Sequence, residues 1–100
     1  MVKHYILWQL KDEFTEEEKE AVKRGIKEGL EGLKGVIPGL LEIHVQCESL
    51  DSSNVDCMLD STFEDEAALK NYTVHPAHVA VATTKVRPNV KLRLVMDYEV

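Results

Sequence analysis

Within the seven residues from Tyr72 to His78 the chain places one of its three tyrosines and two of its four histidines, in the run Asn71-Tyr72-Thr73-Val74-His75-Pro76-Ala77-His78-Val79. An imidazole titrates near neutral pH and a phenol donates or accepts a hydrogen bond, so this set holds the ingredients of acid–base chemistry. The same residue types at a helix end also serve as a cap and a packing contact, and both readings stand at this point. His75 and His78 are spaced i, i+3 and would share a helix face. Two imidazoles without a nearby carboxylate make a thin ligand set, and no metal is expected.

Positioning these side chains falls to a helix, a break and a second, shorter helix. Phe63 to Leu69 begins the first of the pair, with Ala68, Leu69 and Tyr72 facing inward. It ends at Thr73 or Val74, because a residue before proline is biased away from helical geometry. Pro76 suits a first helical turn, so a short helix follows from Ala77 to about Thr84, with Val79, Val81 and Ala82 as apolar contacts. His78 then lies in its first turn, where free N–H groups and the helix dipole favour a neutral, base-competent ring.

The rest of the chain supplies four strands and another helix. Residues 2–10 alternate, with Val2, His4, Ile6, Trp8 and Leu10 on one face and Lys3, Tyr5, Leu7 and Gln9 on the other. Both faces are largely apolar, which predicts cover on both sides. His4 shares its face with Ile6 and Trp8 and there needs a partner or a ligand. Thr15-Glu16-Glu17-Glu18 is a capping box and starts a helix whose apolar stripe is Val22, Ile26, Leu30 and Leu33. Glu18, Glu20, Lys23, Lys27 and Glu31 form a solvated face on this reading. Gly25, Gly29 and Gly32 permit close approach to the sheet or leave room beside a cavity, and Gly35 with Pro38-Gly39 ends the helix.

Leu40 to Cys47 reads as a second strand with Leu41, Ile43, Val45 and Cys47 on one face. Val55 to Phe63 is a third, with Cys57, Leu59 and Phe63 inward, and with Asp56 and Asp60 paired to Lys91 or Arg93 or left wet. Arg87-Pro88-Asn89 is a turn and Val90 to Tyr98 the fourth strand. The order β-α-β-β-α-β is that of an α+β, ferredoxin-like unit with a four-stranded antiparallel sheet. Helices on one side leave the other sheet face open, and a second copy of the chain is the simplest cover, so a homodimer is expected.

One hundred residues make a single domain, 1–100. A net charge of −6 argues against a nucleic-acid partner, whose affinity comes chiefly from clustered Lys and Arg. No apolar run approaches the roughly 20 residues of a membrane span, and the N-terminus lacks a signal-peptide pattern. A cytoplasmic protein with reduced Cys47 and Cys57 is expected. Internal repeats, phosphate loops and nucleophile elbows are not seen, and no cofactor is implied.

Several short runs resemble one family. Tyr72-x-x-His75-Pro76-x-His78 is the most specific; Lys3-His4, Lys11-Asp12-Glu13-Phe14-Thr15-Glu16, Thr62 to Lys70, and Asp97-Tyr98 accompany it, so the likeness spans Lys3 to Tyr98. These resemble the stress-responsive dimeric α/β-barrel (Dabb) family, and within it the plant polyketide cyclases of the olivetolic acid type. The resemblance implies two sheets closing into one barrel. It also implies His78 as base, Tyr72 orienting it or polarising a carbonyl, and His4 nearby as the third catalytic residue. Cys57 stands where those cyclases have another pocket histidine, and glycines of the first helix stand where they have bulkier residues, so ligand contacts differ.

Three uses of such a site follow. The first is binding of a small apolar or phenolic molecule between sheet and helices near Tyr72 and His78, with Trp8, Ile26, Leu30, Cys57 and His75 as further ligand contacts. The second is a cofactor-independent cyclase or lyase using His78 and Tyr72. The third, on likeness of fold alone, is a cofactor-independent monooxygenase-like barrel. A purely structural His-Pro-x-His turn is the alternative to all three.

Overall fold

The computed structural model describes residues 1–100. Strands β1 (Val2–Leu10), β2 (Leu40–Gln46), β3 (Cys57–Phe63) and β4 (Val90–Glu99) form one antiparallel sheet in the order β2-β3-β1-β4. Helices α1 (Glu16–Glu31), α2 (Glu66–Val74) and α3 (Pro76–Val81) lie on one face, giving the expected ferredoxin-like α+β fold. The core lies between these layers. Ile6, Trp8, Leu59 and Phe63 from the sheet meet Ile26 and Leu30 of α1 and Leu69 and Tyr72 of α2.

The strict alternation of β1 places Val2, His4, Ile6, Trp8 and Leu10 under the helices. The Thr15 capping box forms in full: the hydroxyl accepts from Glu18 N–H and Glu18 reaches back to Thr15 N–H. The helix stops earlier than Gly35 and Pro38 suggest. Gly32 already bonds its N–H to Glu28 carbonyl, and Leu33 N–H bonds to Leu30 carbonyl, tightening the last turn. Gly35, at φ +83°, turns the chain beyond it. Leu33 is buried from this loop and not from the helix.

Other expectations shift with the sheet. A bulge between Leu40 and Glu42 sends Leu40 into the core and leaves Leu41 at the surface, reversing the expected start of the strand. Asp60 pairs with Lys3 at 2.7 Å and not with Lys91 or Arg93, because β3 neighbours β1 and never touches β4. Lys91 instead reaches Asp12 at 2.7 Å. The regular part of β3 begins at Cys57, two residues after Val55, while Asp56 accepts from Leu10 N–H through its side chain.

Lys27 and Glu31 do more than solvate a helix face. Glu31 accepts from Val45 N–H at 2.9 Å and Lys27 donates to Val45 carbonyl at 2.8 Å, so α1 takes the place of a neighbouring strand at the edge of β2. Burial works to raise the Glu31 carboxyl. Its bonds from Lys27 and Val45 outweigh that and hold it below the ordinary range.

The opposite sheet face is open. Leu92, Leu94, Met96 and Tyr98 are exposed on it. They stand beside Gln9, Leu7, Tyr5 and Lys3 of β1 in register. No helix is long and apolar enough to cross a membrane.

Candidate functional site

Where the sequence breaks its helix at His75-Pro76, the structure builds a corner. α2 ends at Val74, and α3 starts at Pro76 with His75 as its cap, the ring Nδ1 accepting from Ala77 N–H at 3.1 Å. His75 is thus a structural cap and does not reach the cavity wall. The regular part of α3 stops at Val81, short of the expected Thr84. Ala82–Val86 continue as one wider π-helical turn, closed by Arg87 N–H on Ala82 carbonyl, and Arg87–Asn89 as a 3-10 turn. Such widened turns recur at functional sites. Here the turn buries both Ala82 and Val86.

The corner and the sheet enclose a cavity of about 270 Å³. Ile6, Trp8 and Leu59 form its floor, Leu30 and Tyr72 its sides, and His78, Ala82 and Val86 its cover; Arg87, Val90 and Arg93 close the rim. The cavity thus brings Tyr72, His78, Trp8 and Leu30 together as expected contacts. Ile26 is fully buried in the core and does not reach it. Cys57 is buried in the core as well and borders a different hollow under the Glu48–Val55 loop. Burial pushes its thiol up to about 12.

Tyr72 and Trp8 are almost wholly buried, yet the phenol O–H and the indole N–H have no hydrogen-bond partner. Orphaned buried donors are costly and uncommon. Burial drives the phenol far above its ordinary value, so it remains a donor. The His78 ring lies 4.1 Å from the Tyr72 ring, and its Nδ1–H donates to Thr73 carbonyl at 3.3 Å, which leaves the Nε2 lone pair free. Burial is the chief reason that His78 is held below the ordinary imidazole value; the Thr73 bond opposes it, and the nearby His4 and then the positive charges of Arg87 and Arg93 add smaller downward contributions. The ring is therefore neutral at neutral pH. Burial, and not the helix dipole that the sequence suggests, is the main cause.

His4 stands behind Tyr72, ring centroids 6.2 Å apart, and its Nδ1–H is bonded to the Asp97 carboxylate. Asp97 was no sequence candidate for the site. The signal for it is the β1–β4 register, which sets His4 directly opposite Asp97 on the helix side of the sheet. Arg93 lies opposite Trp8 in the same register. A larger, open cleft of about 580 Å³ runs between α2 and the end of β4 along Leu69, Thr73 and Asp97. Neither Tyr72 nor His78 borders it, so the smaller cavity is the candidate site.

Comparison with known proteins agrees with this architecture. A dimeric protein of unknown function with a ferredoxin-like fold from Bacteroides fragilis is 31% identical, covered over 99% of this chain and 95% of that one, at TM-score 0.92. A protein from Arabidopsis thaliana is 29% identical over 100% and 95% of the two chains, at TM-score 0.75. The hydroxynitrile lyase of Passiflora edulis shares the fold at 16% identity over 97% and 90%, at TM-score 0.72. No curated protein sequence matches. The profile described as Stress responsive A/B Barrel Domain matches residues 2–100, and the chain belongs to that family, Dabb.

Proposed function

We propose that this protein binds a small, flat, largely apolar carbonyl or phenolic molecule in the cavity beside Tyr72 and His78. We further propose that it moves a proton at the carbon next to a carbonyl without a cofactor. The observation that carries this reading is a pair of orphaned buried donors, Tyr72 O–H and Trp8 N–H, on residues that line one cavity together with an imidazole held neutral. A ligand oxygen would satisfy the donors, and a C–H bond beside that carbonyl would face the His78 lone pair.

In the reaction His78 Nε2 takes the proton as the C–H bond breaks. The electron pair moves into the carbonyl, and the enolate oxygen accepts a hydrogen bond from Tyr72. Thr73 carbonyl fixes the tautomer that makes Nε2 the base. With that orienting task taken by Thr73, Tyr72 polarises the carbonyl. His4, held by Asp97, buttresses the Tyr72 ring as a positioning residue. The proton then returns from His78 to carbon; or, in the step of a cyclase, that carbon bonds to a second carbonyl carbon of the same molecule, whose π pair moves onto its oxygen and takes the proton back from His78.

The open sheet face supports a homodimer as the working form, as the Bacteroides fragilis relative is dimeric. A reducing cytosol suits the two free thiols, Cys47 and Cys57.

Acetophenone tests the proton transfer: its methyl group takes up deuterium from heavy water only through the enolate, and proton NMR follows the exchange. The wild type is expected to exchange faster than buffer, and His78→Ala to fall to background. A wild type no faster than His78→Ala overturns the proton transfer and leaves a binding protein.

A further inference from the structure

The cavity is rich in donors and poor in acceptors. Tyr72 and Trp8, whose phenol O–H and indole N–H are buried without a partner, line it, and so do the exposed residues Arg87 and Arg93. Against these stand only the free ring nitrogen of His78 and the phenol oxygen of Tyr72 as side-chain acceptors, and no residue of the cavity wall is Asp or Glu. This is unexpected in a chain with 18 acidic residues and a net charge of −6. The acid on the helix side of β4 nearest to Arg93, Asp97, is bonded to His4. Neither Arg87 nor Arg93 takes part in any of the ion pairs, while the neighbouring Lys91 has Asp12. The two cations act on the site: Arg93 draws the Tyr72 phenol down against its burial, and both arginines depress His78.

We infer that the ligand is an oxo acid. Its carboxylate is held at the rim by Arg87 and Arg93, its flat apolar body lies over Ile6 and Leu59, and its carbonyl oxygen meets Tyr72. A guanidinium presents a planar fork that matches a carboxylate. The rim offers two such forks and no lysine or glycine-rich backbone cradle of the kind that wraps a phosphoryl group. At about 270 Å³ the cavity is near the lower limit of small-molecule sites, so the ligand is a fragment-sized acid and not a long chain or a nucleotide. The inference rests on the cavity assigned above, but its charge recognition is separate from the chemistry at His78.

Trp8 is the chain's only tryptophan and lies in the cavity wall, so its indole N–H resonance reports occupancy. Benzoate, benzamide and phenylphosphonate are titrated into nitrogen-15-labelled protein. Benzoate is expected to shift that resonance with an affinity about tenfold tighter than benzamide, a difference of about 1.4 kcal/mol. In the Arg87→Gln, Arg93→Gln double variant the preference is expected to vanish while benzamide binding stays. Both arginines are exposed, so the fold is not at stake. Equal binding of benzoate and benzamide, a preference that survives the double variant, or no response to benzoate at millimolar concentration overturns the proposal. Phenylphosphonate binding more tightly than benzoate overturns the carboxylate in favour of a phosphoryl ligand. Acetophenone exchange without a benzoate preference sinks this proposal alone. A benzoate preference without acetophenone exchange sinks the proton transfer alone.

Discussion

The imidazole of His78 lies against the ring of Tyr72, centroids 4.1 Å apart and planes inclined by 35°, yet the phenol O–H makes no bond to it. The two groups touch through their faces and keep their polar atoms for something else. His78 is bound to Thr73 carbonyl through Nδ1, and Tyr72 is bound to nothing.

The pH profile follows from this environment. Burial lowers His78 below the ordinary imidazole value of about 6.5. The base is thus competent throughout the neutral range, and the exchange rate should rise along one acid limb centred below 6.5. Tyr72 is shifted far upward and adds no alkaline limb in the accessible range. The same shift bears on stability. The unfolded chain binds a proton on this histidine more readily than the folded one, so the contribution is full above the unfolded value and is lost as pH falls from there through the lower folded value. A limb centred above 6.5 would exclude His78 as the base.

Tyr72→Phe separates function from stability. Deleting a buried hydroxyl without a partner removes a desolvation cost of about 1–3 kcal/mol, so the variant should melt at or above the wild-type temperature. Losing the donor for the enolate should slow exchange by about 100-fold. A variant that melts well below wild type would show that the hydroxyl has a partner in the folded protein.

How much of this was legible in the chain depends on where the information lies. Tyr72 and His78 are close in sequence, and a helix broken before Pro76 brings them together by local rules alone. The alternation of β1 likewise put His4, Ile6 and Trp8 on the core face. The bond of Asp97 to His4 and the place of Arg93 opposite Trp8 were not legible, because they depend on which strand neighbours which and in what register. The same ignorance misassigned the partner of Asp60. The bulge that exchanges Leu40 for Leu41 leaves no mark in an apolar pair where either residue could turn inward.

The His4–Asp97 bond predicts a graded response. His4 is buried and Asp97 is 43% exposed in its side chain, so the bond links the core to solvent. Asp97→Asn keeps an oxygen that can accept from Nδ1–H and should change stability little. Asp97→Ala leaves that donor without its acceptor and should cost about 1–3 kcal/mol, read from chemical denaturation. Equal losses in the two variants would mean that the carboxylate charge, and not the hydrogen bond, holds His4.

Two glycines on one face of α1 should respond in opposite directions. A Cβ on Gly25 would meet only Lys85 Cδ, at 3.7 Å, an ordinary contact with a flexible chain. Gly25→Ala should therefore stabilise the protein by about 0.5–1 kcal/mol through helix propensity. A Cβ on Gly29 would stand 2.8 Å from Val81 Cγ1, a branched side chain with little freedom to withdraw. The close approach that this glycine permits is to α3 and not to the sheet. Gly29→Ala must push α3 from α1, with an overpacking cost of about 1–3 kcal/mol. His78 is carried on α3, so the displacement should also shift the Trp8 indole resonance and slow exchange, whereas Gly25→Ala should leave both near wild type. Thermal melts with indole NMR on the two variants check this, and a stabilised Gly29→Ala with an unmoved Trp8 signal would show that α3 is not braced at Val81.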